Sequence, residues 1–176
     1  MLNRMALKVF PAMLVMGLAL GGYSSGGLAA EDAKERAELA KHLAAAKMTL
    51  EDGLKASERE GQPISAKFEV EHGTFQFSAY TMKGDGFTEV VAKPDSGAIE
   101  KAEPITDPED LEAARKQREA MSKATTSLLA ATEKAVKANA GFRAVSVFPE
   151  LKAGHPVAAV TLARAQDFKT VDEKLD

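Results

Sequence analysis

The stretch that decides the fold is Gly73-Thr74-Phe75-Gln76-Phe77-Ser78-Ala79-Tyr80-Thr81-Met82-Lys83-Gly84-Asp85-Gly86-Phe87, in which two apolar runs flank polar turn residues. This pattern is typical of a β-hairpin. A similar stretch occurs at residues 154–168, where Gly154 follows Gly73 by 81 residues and Phe168 follows Phe87 by the same 81. A constant spacing between similar segments indicates an internal duplication, and two copies are too few for a solenoid.

The first thirty residues have the pattern of a secretory signal. Arg4 and Lys8 form a basic start, residues 9–20 are apolar, and small residues follow up to Ala30. We expect cleavage after Ala30 or nearby and a periplasmic or secreted mature protein. An uncleaved membrane anchor is the alternative, although the apolar run is shorter than the ~20 residues that span a bilayer.

The charge of the chain limits the classes of partner, and its lack of cysteine limits how it can be stabilised. Removing residues 1–30 leaves 21 Lys and Arg against 26 Asp and Glu, a net charge of −5, and the chain contains no Cys. Nucleic acids and anionic lipids attract clustered positive charge, so we expect neither of them as a partner. Once the signal is cleaved, we expect no stable membrane span. Without disulfides, a small exported protein depends on its packed core for stability.

The first half predicts two helices followed by strands. Residues 31–47 are rich in helix formers, and Thr49 with Asp52 has the spacing of a capping box that starts a second helix. From residue 64 to residue 71, apolar and polar residues alternate, which predicts a half-buried antiparallel strand. In the hairpin that follows, either both faces of the second strand are covered or a bulge near Ser78 changes the register.

The second half predicts the same order. Residues 106–110 form a helix-start signal, a break near Ser127 separates two helices, and three strands follow Gly141. We therefore predict an α+β fold of two tandem repeats, each a helix-helix pair packed on a three- to four-stranded antiparallel sheet. The predicted divisions are residues 1–30 for the signal, 31–104 for the first repeat and 105–176 for a second repeat that is shortened at its C-terminal end.

The hairpin followed by Gly-Phe-Thr-Glu-Val-Val-Ala-Lys-Pro-Asp-Ser-Gly at residues 86–97 resembles the PepSY module. The run from residue 145 to residue 176 is also similar to PepSY proteins of bacterial envelopes. This resemblance implies helices against an antiparallel sheet and a role in restraining or regulating peptidases. The repeated helix-helix-sheet order also resembles tandem inhibitors of the β-lactamase-inhibitor type. Fold alone does not determine function, so both implications are analogies.

Residues with catalytic or metal-binding patterns are not evident in the sequence. The three His residues lie far apart and outside metal-ligand spacings, and no Ser or Cys occupies a nucleophile motif. Gly84-Asp85-Gly86 reads as a hairpin turn because no helix follows it to bind phosphate. We therefore predict no catalytic residue, no metal and no cofactor.

The predicted function is that of an exported, non-enzymatic binding or regulatory module whose partner is another envelope protein, with a peptidase as the candidate that it restrains or regulates. The alternative is a periplasmic carrier of a small molecule or metal. The predicted partner-binding residues are Tyr80, Met82, Lys83 and Asp85, because Tyr and Met are enriched at recognition surfaces and here lead into a turn. The alternative for Tyr80 and Met82 is that a bulge returns both side chains to the core.

Overall fold

The structure is a computed structural model that describes the backbone of residues 26–176 and the side chains from residue 33 onward. Predicted signal residues 1–25 lie outside the described residues, and the expected cleavage point after Ala30 falls within the first helix. In chain order the elements are α1 (Gly26–Leu43), α2 (Leu50–Ser57), β1 (Gln62–Glu71), β2 (Thr74–Lys83), β3 (Gly86–Ala92), β4 (Ile99–Pro104), α3 (Pro108–Ser122), α4 (Leu128–Ala138), β5 (Arg143–Lys152), β6 (His155–Arg164) and β7 (Asp167–Lys174).

Three helices begin at side chains that cap unpaired backbone N–H groups. The Thr49 hydroxyl accepts from the Asp52 N–H at 3.1 Å while the Asp52 carboxylate accepts from the Thr49 N–H at 3.0 Å, which confirms the predicted capping box of α2. Asp107 caps α3 with Pro108 in its first turn, and Ser127 caps α4. The predicted break between the last two helices is confirmed at Ser127.

The seven strands within the described residues form one antiparallel sheet in the order β4-β3-β2-β1-β5-β6-β7. Its centre is the pairing of β1 with β5, in which Ala66 lies opposite Val147 and Lys67 lies opposite Ser146. We call this pairing the β1–β5 junction. Because Val147 follows Ala66 by 81 residues, the junction pairs a residue of the first repeat with its own counterpart in the second.

The two hairpins of the sheet share one register when 81 residues are added. β1 has an irregularity at Ile64 and β5 has the equivalent one at Val145. Both hairpin turns place a non-glycine residue at positive φ before a glycine, His72 at 49° and Ala153 at 50°. Two consecutive residues at positive φ are typical of the tight turn that matches strand twist. The sequence spacing of 81 therefore extends to backbone conformation.

Helices lie on both faces of the sheet. On one face, which we call the helix-pair face, α2 and α4 pack together, and Gly53 of α2 lies directly against Phe77. α3 crosses the other face, which we call the α3 face, where Gln117 accepts a 2.9 Å hydrogen bond from the Ser65 hydroxyl. Ser65 pairs with Tyr80, and Tyr80 and Phe77 have opposite parity in β2, so the two contacts are on opposite faces.

The predicted arrangement of two tandem helix-pair repeats, each on its own three- to four-stranded sheet, is therefore wrong. The strands form a single sheet, and α3 lies on the opposite face from α4. The physical reason is that an isolated sheet would leave the outer edge of β1 unpaired, whereas β5 pairs with that edge. The boundary predicted after residue 104 falls in the connection between β4 and α3.

The main core lies between the helix-pair face and the two helices that cover it. Its fully buried side chains come from α2, α4 and the central strands, and they include Leu50, Leu54, Phe77, Leu128, Val160 and Leu162. Residues from both repeats belong to this one hydrophobic cluster. Burial of a large aliphatic or aromatic side chain stabilises a fold by about 1.5–3 kcal/mol, so the two repeats stabilise one another.

Gly53 is the closest point between α2 and the sheet, and its replacement gives a testable prediction. A Cβ atom at this position would lie 2.3 Å from Cε2 of Phe77. Ala is normally better than Gly inside a helix by about 1 kcal/mol. We expect Gly53→Ala to have the opposite effect and to destabilise by about 1–3 kcal/mol through overpacking, as measured by urea unfolding.

Further variants identify the cause of that loss. The pair Glu133→Ala and Glu133→Gly, at an exposed position in the middle of α4, reports the helix-propensity term alone. Phe77→Leu combined with Gly53→Ala should cost less than the sum of the two single changes, because the smaller side chain relieves the clash. If the free-energy costs of the two changes are additive, the proposed contact between position 53 and Phe77 is wrong.

Candidate functional site

A half-buried group of charged and polar side chains lies on the α3 face beside α3. Alternate positions on β1 and β2, one position on β3 and the first turn of α3 supply its members. We call this group the acidic patch, and it consists of Lys67, Glu69, Glu71, Gln76, Ser78, Tyr80, Glu89 and Asp110.

Strand register brings the members of the acidic patch together. Ser78 lies opposite Lys67, Gln76 lies opposite Glu69, and Glu89 lies opposite Tyr80. Directly opposed side chains in an antiparallel sheet point to the same face and are about 4.5–5.5 Å apart at Cβ. The polar residues that alternate along β1 thus form one polar surface with those of β2 and β3.

Gln76 and Ser78 hold the carboxylates of β1 in place. The Gln76 amide donates to Glu71 at 2.9 Å and to Glu69 at 3.3 Å, and the Ser78 hydroxyl donates to Glu69 at 2.7 Å. Lys67 forms an ion pair with Glu69 at 2.5 Å. These contacts fix the geometry of the exposed rim of the acidic patch.

The acidic patch carries more negative than positive charge. It contains four carboxyl groups, those of Glu69, Glu71, Glu89 and Asp110, and one ammonium group, that of Lys67, which pairs with Glu69, while the ring of His72 lies 4.0 Å from Glu71. The side chains of Lys67, Glu69 and Glu71 are 12%, 20% and 33% exposed. Partial burial weakens the screening of these charges by water, so the field of the carboxylates is stronger here than on an open surface.

Tyr80 and Asp110 form the buried end of the acidic patch. Tyr80 is 1% exposed and Asp110 is 4% exposed. Burial raises the pKa of the Tyr80 hydroxyl, and its hydrogen bond to Asp110 raises that pKa further. A tyrosine that stays protonated donates its O–H to the carboxylate, which satisfies a charge that would otherwise be costly to bury.

Glu89 is the most perturbed carboxyl group of the acidic patch. Burial raises its pKa to about 7, and the negative charges of Glu69, Glu71 and Asp110 contribute to the shift. Groups with strongly shifted pKa values in a polar recess are candidates for functional sites. At neutral pH this carboxyl group is divided between its charged and neutral forms.

The four residues predicted to bind a partner are separated by the structure. Lys83 and Asp85 are exposed at the turn between β2 and β3, where Asp85 lies 3.4 Å from Arg118 of α3. Met82 is half-buried opposite Phe87, and Tyr80 is buried against α3. Of the two alternatives for β2, the covered-faces one is correct: Phe77 and Tyr80 are buried on opposite faces, β2 is regular at Ser78, and the irregularity lies at Ile64 of β1. The assignment of partner binding to these residues stays a prediction.

Sequence reasoning missed the carboxylates of the acidic patch. Glu69 and Glu71 were read as the solvent face of a strand, because the alternation of β1 does not reveal that α3 approaches that face. One signal was present in the sequence. Glu89 is a charged residue within the otherwise apolar run of β3, a position where a carboxyl group is more often half-buried than free.

Two findings concern the capacity for small ligands. In residues 33–176, whose side chains are described, no group of three or more His, Asp or Glu residues is arranged to hold a metal ion. A shallow groove of about 260 Å³ lies between the end of α2, the start of β1 and the start of α4, and is lined by residues that include Glu58, Pro63 and Leu129. This volume is below the roughly 300–1,000 Å³ of typical ligand pockets.

The pKa of Glu89 gives a prediction of pH-dependent stability. Because this pKa is higher in the folded state than its ordinary value of 4.5, the folded protein retains a proton that the unfolded chain has lost. The contribution of Glu89 to stability therefore falls as the pH rises from about 4.5 to about 7. We expect Glu89→Gln to stabilise the protein relative to wild type more at pH 8 than at pH 5, as measured by urea midpoints.

The matched control for that measurement is Glu133→Gln, at an exposed position on α4. A pH effect that both variants share reports net charge, and only the excess for Glu89→Gln belongs to the acidic patch. A Glu89→Gln effect that is independent of pH would show that the carboxyl group is not perturbed by its surroundings.

Comparisons with known proteins add little to this geometry. A comparison with models of protein families finds no match, and a comparison with curated proteins finds none either. Among solved structures, the chain is similar to a "putative lipoprotein" from Clostridium difficile 630 at 12% sequence identity and a TM-score of 0.39, with 69% of this chain and 80% of that chain covered. A likeness at this level carries no argument about fold or function. Within the part of the chain that the structure describes, no helix has the length and apolar character needed to cross a membrane.

Proposed function

We propose that this protein is an exported, non-enzymatic binding module that holds a basic segment of another envelope protein on its acidic patch. The observation that carries the proposal is the set of four carboxyl groups crowded around one lysine, with the Glu89 pKa raised to about 7. Crowded carboxylates are destabilising in the free protein. A bound cation would lessen the repulsion between the carboxylates. It would also replace the interactions with water that the carboxylates lose through burial.

The chemistry of the acidic patch favours a basic side chain as the ligand. Glu71 at the rim is 33% exposed and can meet a guanidinium or ammonium group, which carboxylates bind through charge-assisted hydrogen bonds. A basic side chain delivers its charge on a long stem, so it can reach a half-buried carboxylate such as Glu89. The exposed turn with Lys83 and Asp85 lies at the far end of the β2–β3 hairpin, where it can contact the same partner.

The class of partner rests on the sequence. The secretory pattern of residues 1–30 supports an envelope location, and the resemblance to PepSY proteins supports a peptidase as the partner that is restrained or regulated. A metal or small-molecule carrier is the competing function. A thermal-shift screen with metal ions and apolar ligands separates the two, because a ligand bound by the native state alone raises the melting temperature.

The proposed function predicts that the acidic patch determines binding of basic peptides. We expect a fluorescent arginine-rich peptide to bind wild-type protein about tenfold more tightly than Glu71→Gln/Glu89→Gln. Each Gln keeps an acceptor oxygen and removes only the charge, which contributes about 0.2–1 kcal/mol at a partly exposed site, and tenfold corresponds to about 1.4 kcal/mol. Both changes preserve side-chain shape and remove mutual repulsion, so this variant should fold at least as stably as wild type.

The control for binding is Glu58→Gln/Glu133→Gln, which removes two exposed charges far from the acidic patch. It should bind the peptide nearly as well as wild type. Equal weakening in the two double variants would mean that net charge alone attracts the peptide, and the proposed site would be wrong. The same preparations test export, because the mass of the accumulated chain should correspond to a start near Glu31.

A further inference from the structure

The two edges of the sheet differ in how well they resist pairing with another strand. β4 has six residues, contains a register irregularity against β3 near Val91, and ends at Pro104. Irregularities and proline are devices that discourage pairing at a sheet edge. β7 has eight residues, pairs with β6 without any irregularity, and contains no proline. The β7 edge is therefore the one that is open to another strand.

The first repeat shows that a strand fits at the equivalent position. Residues 88–92 of β3 pair with β4, and adding 81 gives residues 169–173 of β7. In the described part of the chain, no strand pairs with the outer edge of these residues. The fold thus contains its own example of how the β7 edge can be covered.

The backbone groups available at this edge can be identified. The Leu175 N–H donates to the carbonyl of Pro156 in β6, so the backbone N–H of residue 175 is directed towards β6. The backbone N–H and C=O groups of successive residues in a strand are directed to alternate sides. Those of Val171 are therefore directed towards β6, and those of Phe168, Thr170 and Asp172 are directed outward. Thr170 and Asp172 are exposed.

We propose that a second copy of this chain pairs with the β7 edge, antiparallel and centred on Val171, and joins two sheets into one. In this register Lys169 of each copy lies opposite Glu173 of the other, and Thr170 lies opposite Asp172. Within its own chain Lys169 donates to Asn139 at 2.6 Å and Glu173 pairs with Lys134 at 2.6 Å, so each pair between copies would extend an existing polar network. Opposite charges at facing positions stabilise a strand pair. Moving the centre to Thr170 would place Asp167 opposite Glu173, and moving it to Asp172 would place two Asp172 side chains together.

Charge complementarity in this one register, against like charges in the two shifted registers, favours a second copy as the occupant. Two-fold symmetry applies each favourable Lys169–Glu173 pair twice, as expected for an isologous interface. The outward N–H and C=O groups of Thr170 and Asp172 bond to those of the same residues in the other copy. This pairing does not involve the acidic patch, so it is independent of the proposed function.

A cysteine scan tests the register, because the chain has no native Cys. Val171 would form a non-hydrogen-bonded pair with its counterpart at a Cα separation of about 4.5 Å, within the range that a disulfide bridges. Under mild oxidation, we expect Val171→Cys to become a disulfide-linked dimer. Thr170→Cys should not, because the rise of about 3.4 Å per residue separates its two copies by roughly 8 Å.

Proline variants test the edge without a crosslink. Thr170→Pro removes an outward N–H that β6 does not use, so the fold should persist while the dimer becomes a monomer in sedimentation equilibrium. Thr170→Ala keeps that N–H and should remain dimeric. Ala102→Pro is the matched control on β4. The Ile105 N–H donates to Phe87 of β3, so by alternation the N–H of residue 102 is directed outward, and its removal should leave the dimer intact.

The results that would overturn the pairing are specific. If wild-type protein, expressed from the full sequence and purified in the form that accumulates, stays monomeric across the micromolar range, the occupant is not a second copy. A dimer that survives Thr170→Pro, with circular dichroism unchanged, would place the interface elsewhere. Equal crosslinking at positions 170 and 171 would contradict the register even if the protein is dimeric.

Discussion

The β1–β5 junction is the interaction on which the rest of the structure depends. Ala66 faces its own counterpart, Val147, so the two repeats are related by an approximate two-fold axis through the centre of the sheet. This relation brings α2 and α4 side by side on one face, where both contribute to a single hydrophobic cluster. Arg143 of β5 adds to the connection by donating to the carbonyls of Leu43, the last residue of α1, and of Met48, which precedes α2. Each repeat alone would be near the size at which a core is marginal without disulfides.

The position of α3 turns a polar strand face into a chemically unusual surface. α3 lies over β1, β5 and β6, and its first turn brings Asp110 to Tyr80. The carboxylates beside it are neither fully solvated nor fully buried, and this intermediate state raises the Glu89 pKa to about 7. A carboxyl group on an open strand would have no such shift. The Tyr80–Asp110 contact, and the share of the Glu89 shift that comes from Asp110, are thus consequences of where α3 lies, and α3 also packs on β5 and β6 of the shared sheet.

Local features of the sequence were predictive where the physics is local. The caps at Thr49 and Ser127, the alternation along β1 and the spacing of 81 residues all correspond to observed structure. The sheet arrangement was predicted wrongly, because an alternating strand looks the same whether its edge is open or paired with a distant strand. The acidic patch was missed for a related reason: Glu69 and Glu71 are typical of a solvated face, and only the register of β1 against β2 brings Gln76 and Ser78 against them.

The central claim is that the β1–β5 junction makes the two repeats one cooperative unit. Equilibrium urea unfolding followed by NMR at individual amides tests it most directly, because amides in β2 and β6 report on the two repeats separately within one sample. The account predicts a common midpoint and a common slope for both sets of amides, as in a two-state transition. Two separate transitions, with the amides of β6 remaining folded after those of β2 have unfolded or the reverse, would contradict it.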